Sequence, residues 1–99
     1  MIKVQTNKDI ITISGHANYA NYGKDIVCAA VSSTIITTVE AISKINYQAV
    51  SIKEEKNKLT IFINKHDDIT DKLIDNMLEC LNEIAKQYPK NIQITNREE

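Results

Sequence analysis

Cys28 and His16 are the two side chains of this sequence whose types and spacing favour nucleophilic chemistry. A thiolate can attack a carbonyl carbon, and an imidazole can take the proton of the thiol and then deliver it to a leaving amine. Eleven residues separate the two positions, which is enough chain to fold the imidazole back over the cysteine. The pair is therefore a candidate catalytic site.

The position of Cys28 relative to Asp25 strengthens this interpretation. Asp25 directly precedes a long apolar run and is a favoured N-cap residue, so Cys28 is predicted at the third position of a helix. There the unpaired amides and the positive end of the helix dipole stabilise a thiolate over a thiol. Ser32 follows one helical turn later on the same face, where its hydroxyl would orient the sulfur or a bound substrate.

Structural readings compete with the catalytic one. A cysteine among alanines in a helix is typical of a small core residue, and a histidine at the end of a strand is often structural too. Cys80 lies within a second apolar stripe and is predicted to pack in the core, whereas His66 is predicted to be a solvated loop residue. The four residues lie on different elements without zinc-ligand spacing, and no phosphate-binding glycine motif occurs, so neither a metal nor another cofactor is predicted.

The elements that must position these residues follow from hydrophobic periodicity. Alternating apolar residues predict two hairpins, and spacings of three and four predict two helices, the first of them buried on more than one side. The expected order is strand, strand, helix, strand, strand, helix, strand, which indicates an α+β fold with a largely antiparallel sheet covered by two helices. The predicted ranges are 2–4 and 11–13 for the first hairpin, about 25–45 for the first helix, 50–54 and 59–64 for the second hairpin, about 69–88 for the second helix, and 92–95 for the last strand.

Length and charge narrow the class of protein further. The 99 residues predict one domain, 1–99, whose small core makes a homodimer a natural supplement. Twelve Lys and Arg stand against 13 Asp and Glu without a basic run, so direct nucleic acid binding is not expected. We find no signal-peptide pattern and expect no apolar stretch long enough to cross a bilayer, so the prediction is a cytoplasmic protein without membrane contact and with free thiols.

The segment GHANYANYGKDIVCAAVS, 18 of the 99 residues, resembles the signature of the ribosomal-processing cysteine protease family, Prp, also described as YsxB-like proteins. In that family the pattern runs Gly-His-Ala, a short loop, Gly-x-Asp-Ile-Val-Cys-Ala and then Ser. Here these positions are Gly15, His16, Ala17, Gly23, Asp25, Ile26, Val27, Cys28, Ala29 and Ser32.

The resemblance implies a catalytic role for each of the central residues. Cys28 is the implied nucleophile and His16 the implied general base and acid, with Asp25 and Ser32 in support. It also implies that the loop between His16 and Asp25 closes over the substrate, and we expect Gly15 and Gly23 to act as the hinges of that loop. Backbone amides at the start of the helix are expected to hold the oxyanion.

The same resemblance implies a substrate and an assembly. The family removes a short N-terminal extension from a large-subunit ribosomal protein, number twenty-seven, so this extension peptide is the expected partner and a homodimer the expected assembly. One alternative remains open, a ribosome-assembly or peptide-binding module that keeps the fold but cuts nothing. A thiol-based redox sensor would need a resolving cysteine, and Cys80 on the other helix is a poor candidate.

Overall fold

The computed structural model describes residues 1–17, 20–21 and 24–96, and within them it contains five strands and two helices. The predicted order ββαββαβ and the α+β class are confirmed. The elements are β1 (Ile2–Thr6), β2 (Ile10–Ser14), α1 (Ile26–Ile45), β3 (Val50–Glu55), β4 (Lys58–Ile63), α2 (Asp68–Gln87) and β5 (Ile92–Asn96).

The five strands form one sheet in the order β3-β4-β2-β1-β5. The β1–β2, β2–β4 and β3–β4 pairs are antiparallel, whereas β5 runs parallel to β1. The parallel pair follows from topology, because β5 returns to the edge of the sheet after the long crossover of α2. Val4 pairs with Ile13 and with Ile94, so one face of three strands is apolar and faces the core.

Both helices contribute to the core that covers this face. α2 carries a regular apolar stripe whose most buried members are Ile74, Met77 and Leu81, opposite a charged surface. Asp67 caps its start, where the carboxylate accepts the amide of Thr70 at 2.8 Å. The boundaries lie within one residue of the predicted ones, because the apolar stripe is a local signal.

α1 differs from the sequence prediction in its burial. It buries a single stripe rather than more than one side: Val27, Val31, Ile35, Val39 and Ile42. Ile26, Ile36 and Ile45, in contrast, are each more than half exposed. The prediction failed because a helix rich in small and β-branched residues looks apolar all round, whereas only one of its faces meets the sheet and α2.

The apolar character of α1 also corrects the expectation about membrane-length segments. In the described part of the chain α1 is the one helix long and apolar enough, by length and composition, to span a bilayer, with a mean hydropathy of 1.7. Glu40 and Lys44 are its only charged residues. Its buried stripe belongs to the same core cluster as the sheet and α2, and a core helix can have this composition as well.

Candidate active site

The start of α1 presents Cys28 as the sequence predicts. Asp25 is the N-cap, with extended backbone angles, and its Oδ1 accepts the amides of Val27 and Cys28, both at 3.0 Å. Cys28 is the third helical residue and is half-buried. The oxygen Oδ2 of Asp25 accepts the Ala20 amide at 3.4 Å, so this carboxylate also connects Ala20 to the start of the helix.

This capping engages the backbone amide donors at the start of α1. The amides of Val27 and Cys28 donate to the side chain of Asp25, and the amide of Ala29 donates to its carbonyl oxygen at 3.1 Å. These three amides are therefore engaged with Asp25 in this conformation, and the expectation that amides at the helix start hold an oxyanion stays a prediction. An aspartate at the cap satisfies the same donors that an oxyanion would need.

Ala17 connects the histidine segment to the sulfur. Its amide donates to Cys28 Sγ at 3.4 Å, its carbonyl accepts the Asn91 side-chain amide at 2.9 Å, and the residue is 1% exposed. The carbonyl carbon of His16 is one peptide bond from that amide nitrogen, so it lies within about 5 Å of the sulfur. The backbone of His16 is thus held next to Cys28.

The ring of His16 is exposed and bonded to the β3–β4 turn. Its Nε2 lies 2.7 Å from Oδ1 of Asn57, and no hydrogen bond joins the ring to Cys28 Sγ in this structure. Asn57 has a φ of 61°, in the left-handed region that asparagine tolerates, and its carbonyl accepts the Gly15 amide at 3.0 Å. The sequence marked Asn57 only as a turn residue, since the contact spans 41 positions.

His16 and Cys28 line one open trough of about 880 Å³. One wall is α1, where Cys28, Ser32 and Ile36 repeat every four residues along a single stripe. The other wall is the second hairpin, with Ile52 and Leu59 on its inner face. The trough also reaches Asp25, so the four predicted site residues His16, Asp25, Cys28 and Ser32 line a common cavity.

The two predicted hinge glycines differ in what the structure says of them. Gly15 has a φ of 84°, and a Cβ there would collide with the backbone carbonyl oxygen of Met1. A glycine is therefore required at this position for both its conformation and its close approach. Gly23 lies outside the described residues, and the hinge roles stay predictions.

The remaining cysteine and histidine lie outside this site. Cys80 is an exposed free thiol, so the prediction that it packs in the core is wrong, because it faces away from the buried stripe of α2. His66 is not simply solvated: its Nε2 bonds Asp9 at 2.7 Å and its Nδ1 bonds Asp71 at 2.8 Å. The Asp9 hydrogen bond and then the Asp71 one raise the pKa of His66 above 6.5, while partial burial opposes the shift. Within the described ranges no three His, Cys, Asp or Glu side chains are grouped to bind a metal.

Comparisons with known proteins give a matching family model and several similar chains. A family model described as cysteine protease Prp matches residues 1–93. The ribosomal processing cysteine protease Prp of Mycoplasma genitalium is 34% identical over 104 residues, covering 95% of this chain and 94% of the relative. That of Staphylococcus aureus strain NCTC 8325 is 30% identical over 87 residues, covering 85% and 82%.

Solved structures agree with the fold along nearly the whole chain. The ribosomal processing protease Prp from S. aureus, in complex with a covalently linked product peptide, superposes with a TM-score of 0.91 at 25% identity, covering 98% of this chain and 100% of that one. The S. aureus protease in complex with a substrate peptide superposes with a TM-score of 0.86 at 24% identity and the same coverage, which supports the fold.

Proposed function

This chain belongs to the cysteine protease Prp family and is a cysteine protease, and on that premise we propose that it removes the N-terminal extension of large-subunit ribosomal protein number twenty-seven with Cys28 as the nucleophile and His16 as the base. One observation carries the residue assignment: Cys28 stands at the capped start of α1, on the wall of a trough that also holds His16. Cys80, the second thiol of the chain, is exposed on α2 and does not line this trough.

The proposed reaction proceeds through an acyl enzyme. His16 takes the thiol proton, and the Cys28 thiolate attacks the scissile carbonyl carbon to give a tetrahedral oxyanion. The carbon–nitrogen bond then breaks, the amine leaves with the proton from His16, and the acyl group stays on sulfur as a thioester. Water attacks the thioester while His16 takes its proton, the carbon–sulfur bond breaks, the carboxylic acid product leaves, and the sulfur takes back the proton from His16.

The trough supports a peptide as the substrate. From Cys28 to Ile36 the stripe on α1 is about 12 Å long at the helical rise of 1.5 Å per residue. An extended peptide rises about 3.3 Å per residue, so about four residues fit along this wall. Ile36 is 54% exposed and Ile52 is 42% exposed, which supplies apolar surface for the side chains of such a peptide.

Two further residues support the nucleophile in this proposal. Asp25 orders the first turn of α1 through its two amide contacts and thereby sets the position of Cys28. Ser32 is exposed on the trough wall one turn after Cys28, where its hydroxyl is placed to bond a peptide group of the substrate. The loop between His16 and Asp25 closes over the bound peptide and brings the imidazole toward the sulfur.

The cellular setting is part of the same proposal. The relatives are described as ribosomal processing proteases, which supports the ribosomal protein extension as the partner peptide. We place the enzyme in the cytoplasm, where ribosomal proteins are made, as one peptidase domain over residues 1–99. The exposed apolar residues Ile26 and Ile45 on α1, which do not line the trough, support self-association as a homodimer. A monomer by sedimentation equilibrium at micromolar concentration contradicts the homodimer.

A cleavage assay tests the proposal. A peptide that spans the extension junction of the ribosomal protein is incubated with the enzyme, and products are identified by mass spectrometry. We expect cleavage by the wild type and by Cys80→Ala, and loss of cleavage in Cys28→Ala and His16→Ala. Turnover by Cys28→Ala refutes the assignment of the nucleophile, and binding without turnover by the wild type favours the non-catalytic peptide-binding module instead.

A further inference from the structure

We propose that Asn57 is a positioning residue that orients the imidazole of His16 for catalysis, an inference that rests on the proposed function of the His16 and Cys28 pair. The two side chains meet at 2.7 Å between Nε2 and Oδ1. An amide oxygen can only accept, so Nε2 carries the proton in this contact. The neutral ring then has its lone pair on Nδ1, and Nδ1 is the atom that takes the proton of the thiol.

The hairpin turn holds Asn57 firmly enough for this role. Residues 56 and 57 form the two-residue turn between β3 and β4, and the positive φ of Asn57 is one that asparagine and glycine adopt most readily. Its backbone carbonyl accepts the Gly15 amide at 3.0 Å, and its side-chain oxygen accepts a hydrogen bond from the ring of His16, the residue after Gly15. The backbone and the side chain of Asn57 therefore bind two consecutive residues, Gly15 and His16, so the ring of His16 is anchored to the hairpin wall of the trough.

The backbone on the other side of His16 is anchored as well. Ala17 donates to Cys28 Sγ and accepts from Asn91, and its side chain is buried. Asn57 and Ala17 thus hold His16 from both sides, and the freedom that remains is rotation of the ring about its own side-chain bonds. The hydrogen bond from Nε2 to Asn57 limits that rotation. It also selects the tautomer in which Nδ1 has no proton, which is the requirement for Nδ1 to act as a general base.

Three substitutions at position 57 separate orientation from folding. Asn57→Gly keeps the left-handed turn but removes the acceptor, and we expect kcat to fall about 10- to 100-fold with KM nearly unchanged, a part of the 10²- to 10⁴-fold that a positioned base contributes. Asn57→Asp keeps an acceptor in the same place, so activity should return to within a few-fold of the wild type. Asn57→Ala should be less stable because alanine is strained at this φ.

The pH profile is the measurement that a merely structural role would leave unchanged. In Asn57→Asp the new carboxylate favours the imidazolium, so the acid limb of the kcat/KM profile should move to higher pH. The other charged groups that line the trough are Asp25, Glu54, Glu55 and Lys58, and they are the same in all variants. A shift can therefore be assigned to position 57.

Lys56→Ala, at the exposed neighbouring turn position, is the matched control and should keep wild-type kinetics. If Asn57→Gly is folded and cleaves at the wild-type rate or faster, and Asn57→Asp has an unshifted profile while Cys28→Ala is inactive, the inference is overturned and the proposed function stands. If Asn57→Gly does not fold, the profile of Asn57→Asp alone decides. If Cys28→Ala remains active, the proposed catalytic pair and the positioning role of Asn57 are both refuted.

Discussion

Removing the carboxylate of Asp25 should cost the enzyme both stability and activity. In Asp25→Ala the amides of Val27 and Cys28 lose their acceptor at 3.0 Å. Replacing an N-cap by alanine typically costs about 1 kcal/mol within a range of about 0.5–2 kcal/mol. The same loss removes a negative charge from the positive end of the α1 dipole, which adds about 0.3–1 kcal/mol. We therefore expect a total loss of about 1–2 kcal/mol.

These values convert into quantities that can be measured. For a domain of this size a loss of 1 kcal/mol lowers Tm by about 4–8 °C. The same 1–2 kcal/mol corresponds to a factor of roughly 5–30 in an equilibrium. If it acts on the first turn of α1, the ordered form that presents Cys28 is depleted by up to that factor, and kcat/KM should fall accordingly. Asp25→Asn keeps the acceptor oxygen and should recover most of the stability.

The second helix supplies a matched control for this experiment. Asp67 caps α2 in the same way, through the Thr70 amide, but lies outside the trough. Urea unfolding followed by circular dichroism gives the stabilities, and peptide cleavage at a temperature where all variants are folded gives kcat/KM. Asp67→Ala should be destabilised without losing activity. Wild-type stability in Asp25→Ala, or equal activity in the two alanine variants, would refute the reasoning.

Three other perturbations test separate parts of the structure. Iodoacetamide should label Cys28 faster than the exposed Cys80 at neutral pH, because the Ala17 amide is directed at the Cys28 sulfur and His16 lines the same trough as a base; equal rates by mass spectrometry contradict activation. Compared with a His66→Gln variant, the wild type should lose up to about 1 kcal/mol of unfolding free energy as pH rises, since its two carboxylate contacts stabilise the charged ring. That stabilisation is complete below pH 6.5, the ordinary pKa of histidine in the unfolded chain, and is lost as pH rises through the raised folded pKa, so a wild-type stability advantage that grows as pH rises has the wrong sign. Gly15→Ala should lower Tm by several degrees in a thermal melt, because its methyl group meets the Met1 carbonyl at a positive φ, and an unchanged Tm would mean that this turn is not constrained.

The sequence by itself determined the local features of this protein. Alternation of period two, stripes of period 3.6 and an aspartate before the first long apolar run are short-range signals, so the order of elements and the capped position of Cys28 were predicted correctly. The motif from Gly15 to Ser32 is equally local, and it identified the family that the comparisons support.

Only the tertiary structure decided what faces what. The single buried face of α1, the exposure of Cys80 and the two carboxylates on His66 depend on which helix and turn come together across the sheet. The contact between His16 and Asn57 joins residues 41 positions apart, and such a pair leaves no periodic or local trace. The chain packs a turn against the end of a distant strand, and that packing, rather than any motif, gives the imidazole its anchor.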